Sequence, residues 1–134
     1  MGRNFLNTAG LIFGVFLIGC SVETREVKPP EQSFDPAVTF IELGSVRCIP
    51  CKKMQPVMAS IERKYRGRVE VVFYDVWEED QKQFASHYGI KLIPTQVFLD
   101  STGAELMRHE GYLPESEIDS FLAQLGLRPD ERAR

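Results

Sequence analysis

Apolar positions along the chain change their spacing several times, and each change marks an element. Val38, Phe40, Ile41 and Leu43 make a nearly continuous apolar run, interrupted by Thr39 and Glu42, and read as a buried strand. Met54, Val57, Met58, Ile61 and Tyr65 then recur at helical spacing, which predicts a helix over residues 50–66. Pro56 should kink it, and Gly67 should end it. The run from Val69 to Val76 reads as a second strand, and its apolar content suggests a central place in the sheet. Residues 78–88 read as a helix with Phe84, Ala85 and Tyr88 inward. Glu78, Glu79 and Asp80 fall in its first turn, where negative charge suits the helix dipole, and Gly89 closes it. Residues 95–99 form a third strand, Asp100-Ser101-Thr102-Gly103 a turn, and residues 104–110 the returning partner of a hairpin. After Gly111, Pro114 and Glu115 open a last helix with Ile118, Phe121, Leu122 and Leu125 on one face, ended by Gly126. The order β-α-β-α-β-β-α belongs to the α/β class: a mixed central sheet with helices on both faces.

The N-terminal stretch follows a different pattern. Arg3 is the one charge ahead of an apolar run from Ala9 to Ile18. A positive start and a short apolar core make an export signal, too short for a membrane span. The run ends Leu17-Ile18-Gly19-Cys20, which resembles the lipobox of bacterial lipoproteins, where a peptidase cuts before the cysteine and the thiol takes lipid. That resemblance implies a signal peptide over residues 1–19 and a lipidated Cys20 at a membrane facing the periplasm or cell exterior. An uncleaved anchor, or a plain secretory signal with Cys20 free, are the alternatives. Residues 20–36 are polar and rich in proline, with Pro29, Pro30 and Pro36, and read as a tether. A short edge strand at residues 24–28 is the other reading. The folded domain then covers residues 37–126, and residues 127–134 form a charged tail, expected to fray.

Length and composition narrow the picture further. A chain of 134 residues, 43% hydrophobic and 26% charged, supports one domain with one core. A net charge of −3 and the lack of a basic stripe argue against nucleic acid as a partner. There are three cysteines. Cys20 is set apart by the lipobox, which leaves Cys48 and Cys51 in a Cys-x-x-Cys pair where the first strand ends and the long helix begins. A thiol at a helix start is drawn toward the thiolate by free N–H groups and the dipole. Two intervening residues let the sulfurs meet within one turn. A structural zinc site would need four ligands, and His87 and His109 lack paired-ligand spacing. Covalent haem would need His after the second cysteine, where Lys52 stands. His87 and His109 read as surface residues, and Trp77 as packing.

Taken together, these residues resemble the thioredoxin family. Cys48-Ile49-Pro50-Cys51 matches its redox motif, and Pro56 its helix proline. Ile93-Pro94-Thr95 matches its cis-proline segment, Glu42 its buried acid, and Gly111 the glycine after its hairpin. The match covers about residues 37–126 and implies a minimal thioredoxin-like fold lacking an N-terminal strand and helix. It implies a thiol–disulfide oxidoreductase with no cofactor beyond its own redox-active disulfide and no metal. Cys48 would attack, Cys51 resolve, and Glu42 handle the proton of Cys51. Arg47, Ile49, Pro50, Ile93 and Pro94 would meet the substrate. The sequence departs from the family at Arg47, where tryptophan is usual, and at Ile49, where glycine is usual. The lysine that often neighbours the acid aligns with Phe73. Glu at position 42, with a membrane anchor, is similar to the thiol reductases of cytochrome c maturation. That likeness implies exported disulfide proteins such as apocytochrome c as substrates and a membrane thiol transporter as electron donor. An oxidase or isomerase of exported proteins, or a non-catalytic binding lipoprotein, are the other expectations.

Overall fold

A computed structural model of the chain describes residues 35–130. Strand β1 is Val38–Gly44, helix α1 Ile49–Lys64 and strand β2 Val69–Asp75. Helix α2 is Gln83–His87, strand β3 Thr95–Asp100, strand β4 Glu105–Glu110 and helix α3 Glu115–Gln124. This is the predicted element order. The expected signal peptide, Cys20 and nearly all of the tether lie outside the described residues, and so does the alternative strand at residues 24–28. Among the described residues no helix is long and apolar enough to cross a membrane.

The strands lie in the order β2-β1-β3-β4. β1 runs parallel to β2 and antiparallel to β3, and β3 runs antiparallel to β4. Side chains alternate across a strand, so β1 serves two layers. Phe40 faces the layer of α1 and α3, where it stacks on Phe98 with ring centroids 4.6 Å apart. Met54, Met58 and Ile61 of α1 and Ile118 and Leu122 of α3 complete that cluster. Ile41 and Leu43 face the other layer, with Val97 of β3 and with Phe84 and Tyr88 near α2. Tyr74 and Phe84 stack there at 3.7 Å between centroids. The period-2 and period-3.6 patterns of the sequence thus resolve into two cores on opposite faces of one sheet.

Four expectations change. Among the described residues β2 is an edge strand, not a central one. Its apolar content has another cause: Val71 and Phe73 pack on the cluster of α1, while Val72 and Tyr74 pack on the opposite cluster. A strand covered on both faces reads as apolar whether or not it has two neighbours. The second helix is much shorter than residues 78–88. Asp75 accepts the amide of Trp77 at 3.1 Å, and its own amide donates to Gln81 Oε1 at 2.9 Å. These bonds fold the chain after β2 into turns, and Glu78, Glu79 and Asp80 sit in them. Leu125, expected on the buried face of α3, is 41% exposed. Finally, the start of the tail is held. Leu127 packs against the α1 cluster, and the Asp130 amide donates to the Lys64 carbonyl at 2.7 Å.

The core assignment has a direct test. Phe40→Ala removes a fully buried ring from the middle of the sheet and should cost about 3–5 kcal/mol in urea unfolding. Leu125→Ala, at the exposed end of α3, should stay within about 0.5 kcal/mol. Similar losses for both would contradict this packing.

Candidate active site

The site begins where β1 stops. Gly44 is its last residue, and an added Cβ there would lie 3.2 Å from both Cβ and Sγ of Cys51 and 3.3 Å from Phe73. Glycine therefore lets the N-terminus of α1 settle onto the sheet. The loop from Ser45 to Arg47 is pinned by Asp75, the last residue of β2. Asp75 Oδ2 accepts the Val46 amide at 3.0 Å and the Ser45 hydroxyl at 3.3 Å, and the Arg47 amide donates to Ser45 Oγ at 3.2 Å. Burial pushes the Asp75 carboxyl up, but the Val46 and Trp77 amides, the Ser45 hydroxyl and the Arg47 charge together hold it below its ordinary value. A fixed anion thus fastens the loop that leads into the cysteines.

Cys48 is the N-cap of α1, and Pro50 falls in the first turn, where a missing N–H costs nothing. Cys48 and Cys51 are joined as a disulfide with Cα atoms 5.2 Å apart. The Cys51 amide points at Cys48 Sγ, 3.3 Å away. The two sulfurs differ in access: Cys48 is 8% exposed and Cys51 is fully buried. A partner can reach the first and not the second. Free N–H groups at the helix start favour negative charge on the Cys48 sulfur after reduction.

Glu42 lies on β1 between Phe40 and Gly44, two residues from each, so all three share the face covered by α1. It is therefore one pleat away from the glycine that touches Cys51. Its side chain is fully buried, with Phe73 opposite it on β2, where the family resemblance puts the acid's neighbour. Burial raises the Glu42 carboxyl from 4.5 to about 8, against the opposing pull of a hydrogen bond from Gln96. Gln96 Nε2 donates to Glu42 Oε2 at 2.9 Å. Glu42 is thus a buried carboxyl raised to about 8, one pleat along β1 from the glycine that Cys51 touches.

Around the disulfide, exposed apolar side chains alternate with the exposed charges of Arg47, Lys52 and Lys53, and Trp77, expected to pack, is exposed as well. Ile49 is 73% exposed, and Val46, Trp77, Leu92 and Tyr112 are also exposed. The Ile93–Pro94 bond is cis, with Pro94 buried and Ile93 half-buried. A shallow groove of about 320 Å³ runs beside this segment, lined by Val76, Trp77, Ala85 and residues 90–93. Arg47 is committed sideways: its guanidinium lies 5.7 Å from the centre of the Trp77 ring and pairs with Glu78 at 3.5 Å. No group of three or more His, Cys, Asp or Glu side chains among the described residues is placed to hold a metal ion.

The predicted residues Cys48, Cys51, Glu42, Arg47, Ile49, Pro50, Ile93 and Pro94 all fall in or beside this region, while Cys20 lies outside the described residues. Sequence reasoning missed Asp75 and Gln96. Each carries a signal in retrospect. Asp75 is an acid ending an apolar strand, and Gln96 is a polar residue two positions before the inward Phe98.

The buried acid has a measurable consequence for the oxidised protein. A folded value near 8 against an ordinary 4.5 means that the stability linked to Glu42 is complete below about pH 4.5 and is lost as pH rises through about 8. Glu42→Gln should flatten that slope and raise the unfolding free energy at pH 7 by on the order of 2–3 kcal/mol. Denaturant unfolding between pH 4 and pH 9 measures both curves. A Glu42→Gln curve that keeps the parent slope would sink the assignment.

The same architecture recurs in known proteins. Residues 28–126 match the thioredoxin-like domain family. The thioredoxin of Haemophilus influenzae is 29% identical over 77 residues, covering 58% of this chain and 69% of that one. Thioredoxin 1 of a Nostoc species is 32% identical over 83 residues, covering 62% of this chain and 75% of that one. Among solved structures, the germline-specific thioredoxin Deadhead of Drosophila melanogaster superposes with a TM-score of 0.59 at 27% identity, over 69% of this chain and 84% of that one. With its paired cysteines at the head of α1, the chain belongs to the thioredoxin-like domain family and is a thiol–disulfide oxidoreductase.

Proposed function

We propose that the protein reduces disulfides of exported proteins, apocytochrome c among them, while anchored to a membrane by lipid on Cys20. The observation that carries the chemical part is Glu42, a buried carboxyl raised to about 8 on the face of β1 that α1 covers. The reaction starts from the dithiol. The Cys48 thiolate attacks one sulfur of the partner's disulfide, an S–S bond forms between Cys48 and that sulfur, and the partner's other sulfur leaves and takes up a proton. Cys51 then gives its proton to Glu42, directly or through water, and its thiolate attacks Cys48 Sγ. The mixed disulfide breaks, and the partner leaves with both cysteines reduced. Two electrons have moved from the protein to the partner, and the Cys48–Cys51 disulfide is the product.

The exposed apolar side chains near the site suit an unfolded or extended partner. Ile49, Val46, Leu92 and Tyr112 offer contact without demanding a particular sequence. Pro50 sits in the first turn between the cysteines, and the cis Ile93–Pro94 segment lies beside the groove, where an extended chain can pair with its backbone. Arg47, already paired with Glu78, meets the partner as part of a neutralised pair. Outside the cytoplasm the resulting disulfide persists, so the cycle needs a membrane thiol donor. The lipobox-like Leu17-Ile18-Gly19-Cys20 supports the anchor. Oxidation of exported proteins runs the same exchange in the other direction, isomerisation runs it with no net electron transfer, and the potential separates reductant from oxidant.

Cys51→Ser should leave the attack by Cys48 intact and stop its resolution, so mixed disulfides should accumulate on non-reducing gels and turnover should fall by at least about a hundredfold. Unchanged turnover would rule out Cys51 as the resolving thiol. Equilibration of the soluble domain with thiol buffers should give a potential near about −270 mV for a reductant, whereas a value near about −120 mV marks an oxidant and ends the reducing assignment. In cells, metabolic labelling with palmitate should mark the parent chain and not Cys20→Ser, and equal labelling of both would remove the anchor.

A further inference from the structure

Gln96 is the residue of this core that the reaction above leaves unexplained. It is fully buried and lies opposite Glu42 in the β1–β3 register. An amide in such a place has to account for its hydrogen bonds. Its Nε2 has two hydrogens and uses both: one goes to Glu42 Oε2 at 2.9 Å, the other to the Gly111 carbonyl at 3.0 Å. The orientation of the amide is therefore determined. Turned over, its carbonyl oxygen would face the Gly111 carbonyl, and the bond that the ionised Glu42 carboxylate accepts would be lost. Gly111, in turn, donates its amide to the Pro94 carbonyl at 2.8 Å, and has φ +96°, a conformation that glycine adopts freely. One side chain thus links the buried acid of β1, the turn after β4 and the cis-proline segment beside the disulfide.

We propose that Gln96 is a positioning residue for the redox reaction: it holds the Glu42 carboxyl in place to receive the proton of Cys51 and ties that carboxyl to the Gly111–Pro94 loops that meet the substrate. The proposal rests on the proton-accepting role given to Glu42 above. Nothing else described near Glu42 can do this. Phe73 faces it from β2, and Cys51 from α1 is held in the disulfide. His109 of β4 is the next titratable group on that row, but it stands beyond Gln96, across the β3–β4 pairing, with its Nε2 3.3 Å from the Tyr112 carbonyl. Burial and the Gln96 bond are the two influences on the Glu42 carboxyl, and Gln96 is the one that stabilises its charge. Glu42 Oε1 and Gln96 Oε1 are buried with no hydrogen-bond partner. Removing the Nε2 donor therefore leaves the carboxylate with neither oxygen satisfied.

The test uses isotope-labelled glutamate in the oxidised full chain, where the cysteines do not titrate. The carboxyl carbon of Glu42, assigned by its loss in Glu42→Gln, should titrate near pH 8 in the parent. In Gln96→Met, of similar shape, the midpoint should rise by about one pH unit or more, because a hydrogen bond to the charged form is lost. Gln96→Asn, too short to span both acceptors, should move it the same way by less, and it keeps the core polar if the methionine variant fails to fold. In the reduced chain, the rate at which Cys51 expels a small thiol from Cys48 should show the same upward displacement of its pH profile. In a Glu42→Gln background, Gln96→Met should leave that profile where it is. A Glu42 midpoint that stays put in the folded variants overturns the role of Gln96. A profile that ignores Glu42→Gln overturns the proton-accepting reading instead, and the role of Gln96 with it, even if the midpoint moves.

Discussion

The parts of this fold register against β1. The strand has a neighbour on each side and a helical layer on each face, so each of its residues has an assigned direction. Phe40 points into the α1–α3 core and Ile41 into the opposite one. Glu42 and Gly44 continue the Phe40 face toward the head of α1. A slip of one residue would exchange the two faces and would put Leu43, not Glu42, under the cysteines. The hydrophobic contacts on both layers forbid that slip, and so the catalytic register is enforced by packing far from the sulfurs. The glycine at the end of the strand then sets how closely the helix approaches.

That register carries a deliberate weakness. A carboxyl and an amide sit in the middle of an apolar layer, and each leaves one oxygen without a partner. Buried polar atoms of this kind cost about 1–3 kcal/mol each. A pair of leucines at positions 42 and 96 would pack without that cost. These atoms lie one pleat from the glycine that touches Cys51, where the proposed reaction moves a proton, and proteins trade stability for activity at such places. On the other side of the site, Asp75 shows the opposite arrangement. It is also nearly buried, but backbone amides and a hydroxyl surround it, and it stays charged. Two acids on neighbouring parallel strands thus shift in opposite directions, because one has donors around it and the other has few.

Most of the architecture was legible from periodicity and punctuation. The long helix, the hairpin and the last helix follow local rules that residues such as Pro50, Gly103 and Gly126 signal by themselves. The errors arose where tertiary contacts decided. Val69 to Val76 looked central because both of its faces are covered, yet coverage by helices and pairing by strands leave the same mark on a sequence. Glu78, Glu79 and Asp80 looked like a helix start, but the Asp75 carboxylate captured the Trp77 amide and bent the chain first. In the site, the cysteines were readable from their spacing, and Glu42 and the proline segment from their match to the thioredoxin family. Gln96 was not, since its meaning depends on a residue fifty-four positions earlier that only the β1–β3 register brings beside it.

The held start of the tail has a practical side. Asp130 is fastened to Lys64, the last residue of α1, whereas the cysteines occupy the first turn of the same helix. Sixteen helical residues span about 24 Å, so the described chain ends about one helix length from the disulfide. An electrode linker, a surface-coupling handle or a fused reporter joined at this end would leave the sulfurs facing the solution. The molecule is thereby suited to oriented immobilisation, with the length of one helix as the built-in spacer.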